Sequence, residues 1–141
     1  EDEIKSITFF RNKANYIINT CKILNQKFNG RVPSSMNDLI ELPGISRKTA
    51  NVIQQNAFNI VEGVVVDTWV IKLSNRLGWV DTENPVKIEN QLMQMFPKEK
   101  WKELPWLLKT HGKTICKSTV PLCSKCFLSK LCPKVGVEIF N

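Results

Sequence analysis

Apolar residues recur at helical spacing along most of this chain of 141 residues. The first series comprises Ala14, Ile17, Ile18, Cys21, Leu24 and Phe28, in which each residue except the last is followed by another three or four positions later. Such spacing places the side chains on one face of a helix, and Gly30 stands where a glycine commonly ends a helix. The pattern predicts a helix from about residue 12 to residue 28, with Cys21 in its buried face.

Two further helices are predicted next, with a tight turn between them. Ser35 is a suitable N-cap for a short helix over residues 36–40, which ends before Pro43 and Gly44. Ser46 can cap the following helix, which extends to about residue 58. The apolar stripe of that helix comprises Ala50, Ile53, Ala57 and Phe58. Because the connection is short, we expect a hairpin of two helices over residues 35–58.

The chain beyond the hairpin also favours helices. The run 64–66 is apolar, but Asp67 is an N-cap residue followed by helical spacing, so we expect extended chain that leads into a helix. Another helix is predicted from Asn84 to about residue 96, and a further one over 101–115 with an interruption near Pro105. Since no pair of strands is indicated, the predicted fold class is all-α.

Composition and charge indicate the kind of protein and the kind of partner. The 43% hydrophobic and 23% charged content is typical of a folded globular protein and excludes disorder. No apolar run is long enough to span a membrane, and the acidic start, residues 1–3, is the wrong flank for a secretory signal. We therefore expect a soluble intracellular protein. The net charge of +7 favours an anionic partner such as nucleic acid.

Four of the five cysteines lie close together near the end of the chain. Their spacing is C-x6-C-x2-C-x5-C, and they are Cys116, Cys123, Cys126 and Cys132. We call residues 116–132 the cysteine loop. Disulfides are disfavoured because no secretion signal is present. A structural zinc site usually has two short-spaced pairs, and a [4Fe-4S] cluster also takes four thiolates, so the spacing leaves both open. The single histidine, His111, is interpreted as structural because four cysteines already complete a site.

The turn before the third predicted helix is a candidate phosphate site. A glycine turn at a helix N-terminus directs backbone N–H groups outward, and phosphate is a natural occupant. The alternative is an ordinary turn between two helices. Arg47 and Lys48 stand at the helix start, where the helix dipole disfavours cations, and so favour an anionic partner. Lysines of the cysteine loop offer either a second basic contact or a solvated surface; they are Lys117, Lys125 and Lys130.

Three motifs together resemble the helix-hairpin-helix DNA glycosylase family. The segment 42–50, Leu-Pro-Gly-Ile-Ser-Arg-Lys-Thr-Ala, is similar to the hairpin of that family, and Val66-Asp67-Thr68 is similar to the motif that follows it. The spacing of the four cysteines is that of the family's cluster loop. The order and the separations also agree, from about residue 12 to Cys132, and the pattern resembles the endonuclease III branch in particular.

The resemblance implies a fold and a cofactor. Residues 1–66 would be part of a six-helix lobe that contains the hairpin, and residues 67–141 would be a helical lobe that ends in the cysteine loop. The cofactor implied is a [4Fe-4S] cluster on the four cysteines. The resemblance also implies contact of the hairpin and the loop with DNA. The residues concerned are Leu42, Gly44, Ile45, Ser46, Arg47, Lys117 and Lys125.

The implied activity is that of a bifunctional DNA glycosylase with AP-lyase activity in base excision repair. A lysine in the second hairpin helix marks such enzymes, and Lys48 holds that position. Its neutral amine would attack the deoxyribose C1′ and form a Schiff base, after which β-elimination breaks the strand. Asp67 would assist deprotonation of the lysine and stabilise positive charge on the sugar. The substrates implied are double-stranded DNA with oxidised pyrimidines or abasic sites.

The sequence also departs from the family's pattern. Ser46 replaces the second glycine of the hairpin, Trp69 stands where histidine is common, and the connection from Lys48 to Asp67 is one residue longer. The helices that precede residue 12 in endonuclease III enzymes are not in this sequence, so we expect exposed apolar surface and weaker extrusion of a lesion. We expect a monomer, unless those helices come from another chain.

Two other functions remain open at this stage. One is a non-catalytic, cluster-stabilised module that binds duplex DNA, and the other is a zinc-ribbon-like interaction protein. The expected location is the bacterial cytoplasm, in association with the nucleoid, or the nucleus or an organelle in a eukaryote. No membrane partner is expected.

Overall fold

The structure is a computed structural model that describes residues 1–141. It contains six α-helices and no β-strand, which confirms the all-α prediction. The helices are α1 (Phe10–Phe28), α2 (Met36–Ile40), α3 (Arg47–Ile53), α4 (Thr68–Arg76), α5 (Pro85–Met95) and α6 (Leu104–Thr114). The segment 64–66 is extended and leads into α4, as the N-cap at Asp67 predicts. No helix is both long enough and apolar enough to cross a membrane.

The chain forms two compact units, Glu1–Ile60 and Val61–Asn141. The first contains α1 to α3 and the second α4 to α6 and the cysteine loop. The division after residue 66 that the sequence suggests stays a prediction.

The first unit is built around the hairpin of α2 and α3. Its buried centre is Leu39, Leu42 and Ala50. The half-buried side chains that pack against this centre are Ile23, Leu24, Phe28, Met36, Ile45 and Ile53. The short helices gain little from their own hydrogen bonds, so their stability depends on this burial and on the serine caps of α2 and α3.

The prediction that Cys21 is buried is wrong. Cys21 is exposed, and so are Ile17 and Ile18 of the same predicted face. The C-terminal turns of α1 pack on the hairpin core through residues that include Leu24 and Phe28, and Tyr16 contacts the hairpin turn at Gly44. Part of the apolar face of α1 therefore stays uncovered, in agreement with the expectation of exposed apolar surface.

The end of the third helix also differs from the prediction. α3 continues into a π-helical turn over Gln54–Phe58, so the helical path does reach residue 58. A π turn inserts extra chain into the helix and rotates the residues that follow it. Gln54 is buried in place of an apolar residue, and its amide donates to the Ser34 carbonyl at 3.0 Å. Ala57 and Phe58, which the regular helical spacing places in the core, are exposed.

The second unit has the larger core, formed mainly by α4, α5 and α6. Its buried apolar residues are Val64, Val66, Val70, Leu73, Val80, Ile88, Leu92, Leu104 and Leu108. α6 begins at Leu104, three residues later than predicted, with Trp101 in a preceding turn. Pro105 lies in the first turn of α6, where its missing N–H costs no helical hydrogen bond, so it opens the helix rather than interrupting it.

Candidate functional site

The turn of the hairpin is held by backbone hydrogen bonds between residues three positions apart. The Leu42 N–H donates to the Leu39 carbonyl at 3.2 Å, and the Ile45 N–H donates to the Leu42 carbonyl at 3.1 Å. Gly44 has a φ of 78°, a conformation that side chains disfavour. Leu42 is buried and Ile45 is half-buried, so both anchor the turn in the core of the first unit.

The next residues of the turn have backbone donors that the chain does not use. The N–H groups of Gly44 and Ser46 have no acceptor within the protein. The Ser46 side chain, in contrast, is engaged, because its Oγ accepts from the Thr49 N–H at 3.3 Å and caps α3. Exposed backbone donors at nearby turn positions form a site suited to an anion. The serine that replaces the usual glycine thus keeps these donors and adds a cap.

α1 covers one side of this turn. The Thr20 hydroxyl donates to the Pro43 carbonyl at 3.2 Å. The ring of Tyr16 lies so close to Gly44 that an added Cβ would stand 2.7 Å from its Cδ2 atom. Two features therefore require glycine at position 44: the positive φ of the backbone and the close approach of the Tyr16 ring.

The two basic side chains of the hairpin are both exposed. Arg47 is the first residue of α3 and Lys48 the second. Because both follow Ser46 directly, two positive charges stand beside the turn with the unused N–H groups. Gly44, Ser46, Arg47 and Lys48 are thus all exposed, within the hairpin turn and the first two residues of α3.

Asp67 lies in the second unit and caps α4. Its Oδ1 atom accepts from the Trp69 N–H at 2.9 Å and from the Val70 N–H at 3.0 Å. Its Oδ2 atom lies 4.0 Å from the Nζ atom of Lys109 on α6. The cap fixes the carboxylate through one oxygen, and the other oxygen is the one nearest the Lys109 ammonium. Lys48 and Asp67 belong to different units, and their catalytic pairing stays a prediction.

The four clustered cysteines line one cavity of the second unit. None of them forms a disulfide. The other lining residues come from α4, from α6 and its end, and from the loop itself; they are Leu73, Arg76, Leu77, His111, Ile115, Pro121, Leu122, Leu128, Ser129 and Lys134. Four thiols around a largely apolar cavity with two cationic side chains form a donor set suited to an anionic metal–thiolate group.

Arg76 ties α4 to the start of the cysteine loop. Its guanidinium donates to the carbonyls of Cys116 at 3.1 Å, Lys117 at 2.8 Å and Ser118 at 3.0 Å. It also lies 3.4 Å from the Cys116 sulfur. At the same place, the Cys132 thiol lies 3.5 Å from the Arg76 carbonyl. The two ends of the cysteine loop are thus fastened to one residue.

Burial shifts the protonation of two groups at the cavity. It raises the pKa of the Cys123 thiol, an effect that Lys134 opposes and the three other sulfurs strengthen. Burial lowers the pKa of His111, whose Nε2 atom lies 3.5 Å from the Cys126 sulfur. Proximity to a cation favours the thiolate form, so Lys134 is placed to stabilise a negative Cys123 sulfur. No group of three or more His, Cys, Asp or Glu side chains has the geometry of a single-ion site.

Lys117 and Lys125 are both exposed on the cysteine loop, and Lys130 is exposed in the same loop. Their contact with DNA stays a prediction. Sequence reasoning did not identify Arg76 or Lys109, whose partners are 40 and 42 residues away. No local spacing in the chain indicates contacts of this range.

The comparison with known proteins gives consistent results. Residues 1–98 match the HhH-GPD superfamily base excision DNA repair protein family. The chain is 44% identical over 133 residues to endonuclease III of Synechocystis sp., an alignment that covers 94% of this chain and 61% of that protein. It is 37% identical over 132 residues to endonuclease III-like protein 1 of Gallus gallus, with 92% and 47% covered. The chain thus spans about 61% of the length of the bacterial relative.

Solved structures give the same result. A trapped endonuclease III–DNA covalent intermediate has a TM-score of 0.86 and 39% identity, and the match covers 94% of this chain and 62% of that one. A thermostable thymine-DNA glycosylase has a TM-score of 0.82 at 23% identity and shows the shared fold alone. With the hairpin geometry and the match over residues 1–98, these results establish that the chain belongs to the HhH-GPD superfamily of base excision DNA repair proteins.

Proposed function

We propose that this chain is the part of a base excision repair DNA glycosylase that carries its AP-lyase nucleophile. The substrate would be double-stranded DNA that contains an oxidised pyrimidine or an abasic site. The observation that carries the proposal is the hairpin turn, where unused N–H groups at Gly44 and Ser46 precede the exposed Lys48, the second residue of α3. A phosphate held by these amides would bring the sugar of the damaged strand toward the Lys48 amine.

The reaction would proceed through a covalent link between Lys48 and the sugar. The neutral amine attacks C1′, the bond from C1′ to the base breaks, and the base leaves with a proton. The C1′–O4′ bond then opens, O4′ takes up a proton, and the nitrogen lone pair forms the C=N bond of a Schiff base. On an abasic site the same amine condenses with the C1′ aldehyde and releases water. The resulting Schiff base acidifies the C2′ proton, and loss of that proton expels the 3′ phosphate by β-elimination.

Asp67 would act on the positive charge that develops on the sugar. One of its oxygens is held by two backbone N–H groups, so the carboxylate needs little reorganisation during the reaction. Its second oxygen is the one that the cap leaves available for that charge. The endonuclease III in the covalent intermediate structure is 39% identical to this chain, which supports the transfer of this chemistry.

For the cysteine loop we propose a [4Fe-4S] cluster held by Cys116, Cys123, Cys126 and Cys132. Four free thiols on one cavity, with Arg76 and Lys134 beside them, support this assignment. When bound, the cluster would supply four metal–thiolate bonds that order the loop and the lysines on its surface. Iron and sulfide analysis of the purified protein tests this part, and stoichiometric zinc without sulfide would overturn it.

Borohydride trapping on an abasic-site duplex tests the enzymatic proposal, because only a Schiff base becomes a stable covalent adduct on reduction. We expect a cross-link with the chain as it stands, and its loss in Lys48→Ala. Lys22→Ala is the matched control, since Lys22 is an exposed helical lysine of the same unit. It should cross-link as the unsubstituted chain does.

Two other outcomes would have different meanings. Duplex binding without any cross-link would favour the non-catalytic DNA-binding module. A cross-link that persists in Lys48→Ala would show that another amine is the nucleophile and would overturn the assignment of Lys48.

A further inference from the structure

Lys109 is the cation next to the proposed catalytic carboxylate. Its Nζ atom lies 4.0 Å from the Asp67 Oδ2 atom, which is the oxygen that the helix cap leaves available. This distance is at the outer limit of an ion pair. The Lys109 side chain is 47% exposed and that of Asp67 25% exposed, so the pair is partly hydrated and loosely held.

The packing of α4 against α6 keeps these two groups together. Gly112 lies one turn after Lys109, and a Cβ there would overlap the Trp69 ring, with 2.8 Å to its Cζ3 atom. Trp69 in turn follows Asp67 closely and donates its N–H to the Asp67 carboxylate. The close contact of Trp69 and Gly112 sets how closely α4 and α6 approach, while the long Lys109 side chain is half exposed to solvent.

We propose that Lys109 is a DNA-binding residue that exchanges Asp67 for a phosphate of the damaged nucleotide when DNA binds. The proposal rests on the proposed function for the placement of a deoxyribose at Asp67. It assigns Lys109 a positioning role and no bond-making step.

The chemistry of a nucleotide supports this exchange. A deoxyribose carries a phosphate on each side, so a sugar that faces the Asp67 carboxylate brings two further anions within reach of a flexible lysine. The Lys109 ammonium has an anionic partner both before and after the exchange. The phosphate oxygens can accept hydrogen bonds from this ammonium over a wide range of directions. When the ammonium leaves, the Asp67 Oδ2 atom is freed for the positive charge of the sugar.

Binding of a duplex that contains a tetrahydrofuran abasic analogue tests the proposal without any chemical step. Fluorescence anisotropy at several salt concentrations gives both the Kd and its salt dependence. In Lys109→Met we expect a Kd that is about three- to tenfold higher and a slope of log Kd against log salt that is lower by about 0.9, the loss of one phosphate contact. Lys109→Arg should retain the slope of the unsubstituted chain.

Coupling to Asp67 separates the exchange from a general loss of charge. Asp67→Asn removes the competing carboxylate charge, so it should tighten binding more when Lys109 is present than in the Lys109→Met chain. Lys113→Met is the matched control, because Lys113 is an exposed residue one turn further along α6. With that substitution, the effect of Asp67→Asn should equal its effect in the unsubstituted chain.

Unchanged affinity and salt slope in Lys109→Met, or an equal effect of Asp67→Asn with and without Lys109, would overturn the exchange. The proposed lyase function and the proposed role of Lys109 can be refuted independently. A Lys48-dependent cross-link without a Lys109 effect would leave the lyase function intact, whereas a Lys109 effect without a cross-link would leave only the phosphate contact.

Discussion

The ring of Tyr16 on α1 rests on Gly44 of the hairpin turn, with no space for a side chain between them. This contact links the long first helix to the turn whose N–H groups we assign to a DNA phosphate. Since Gly44 also has a positive φ, its backbone cannot relax toward an ordinary conformation without losing the turn. The geometry that we propose to bind phosphate thus depends on Tyr16, a residue of α1 that no motif includes.

Gly44→Ala is expected to lower the free energy of unfolding by about 2–4 kcal/mol, through strain at positive φ and overlap with Tyr16. Gly136→Ala is the matched control, because Gly136 also has a positive φ but open space around it. That substitution should cost only about 1 kcal/mol. Urea unfolding followed by circular dichroism measures both, and equal losses would show that the Tyr16 contact is unimportant.

Ser46 caps α3, so we expect its replacement by alanine to lower stability more than its replacement by glycine does. Ser46→Ala removes the acceptor of the Thr49 N–H and is expected to cost about 1 kcal/mol, whereas Ser46→Gly should cost a few tenths. Both variants keep the backbone N–H proposed to bind phosphate. Their affinity for duplex DNA should therefore change little once each is folded, and a large loss of affinity in Ser46→Gly would assign the hydroxyl to DNA contact.

Local chemistry explains which parts of the fold were predictable from the sequence. Asp67, Ser35, Ser46 and Asn84 were all identified as N-caps, and each accepts backbone hydrogen bonds at the start of its helix. Capping depends on residues two or three positions apart, so a sequence pattern contains the whole interaction.

The errors arise where an interaction is not local. The π turn at Gln54 rotates Phe58 out of the core, and the exposure of Cys21 depends on how much surface the hairpin offers to α1. Among the site residues, Lys48 and the four cysteines were indicated by motif and spacing. Arg76 and Lys109 were not, because their roles arise from contacts between elements distant in the chain.

Asp67 has a structural role and a proposed catalytic role, and two substitutions separate them. Asp67→Asn retains an oxygen that can accept from the Trp69 and Val70 N–H groups, so stability should change by less than about 0.5 kcal/mol. The rate of borohydride trapping should nevertheless fall by at least about 100-fold. Asp67→Ala should show the same loss of rate and a further loss of about 1 kcal/mol in stability. A normal trapping rate in Asp67→Asn would leave Asp67 as a cap only.

Arg76 is expected to control the order of the cysteine loop. Arg76→Met removes the donor of three hydrogen bonds to consecutive carbonyls, whereas Arg76→Lys keeps the charge but loses the fork that spans them. Both should free the chain at Lys117, where trypsin cleaves after lysine, and limited proteolysis should cut there several-fold faster. Arg31→Met, at an exposed position of the first unit, is the control and should leave cleavage unchanged.

If the cluster is bound, the same variants should lose visible absorbance faster in air, since a released Cys116 exposes its sulfur to oxygen. Unaltered cleavage at Lys117 in Arg76→Met would mean that the cysteines alone hold the loop in place.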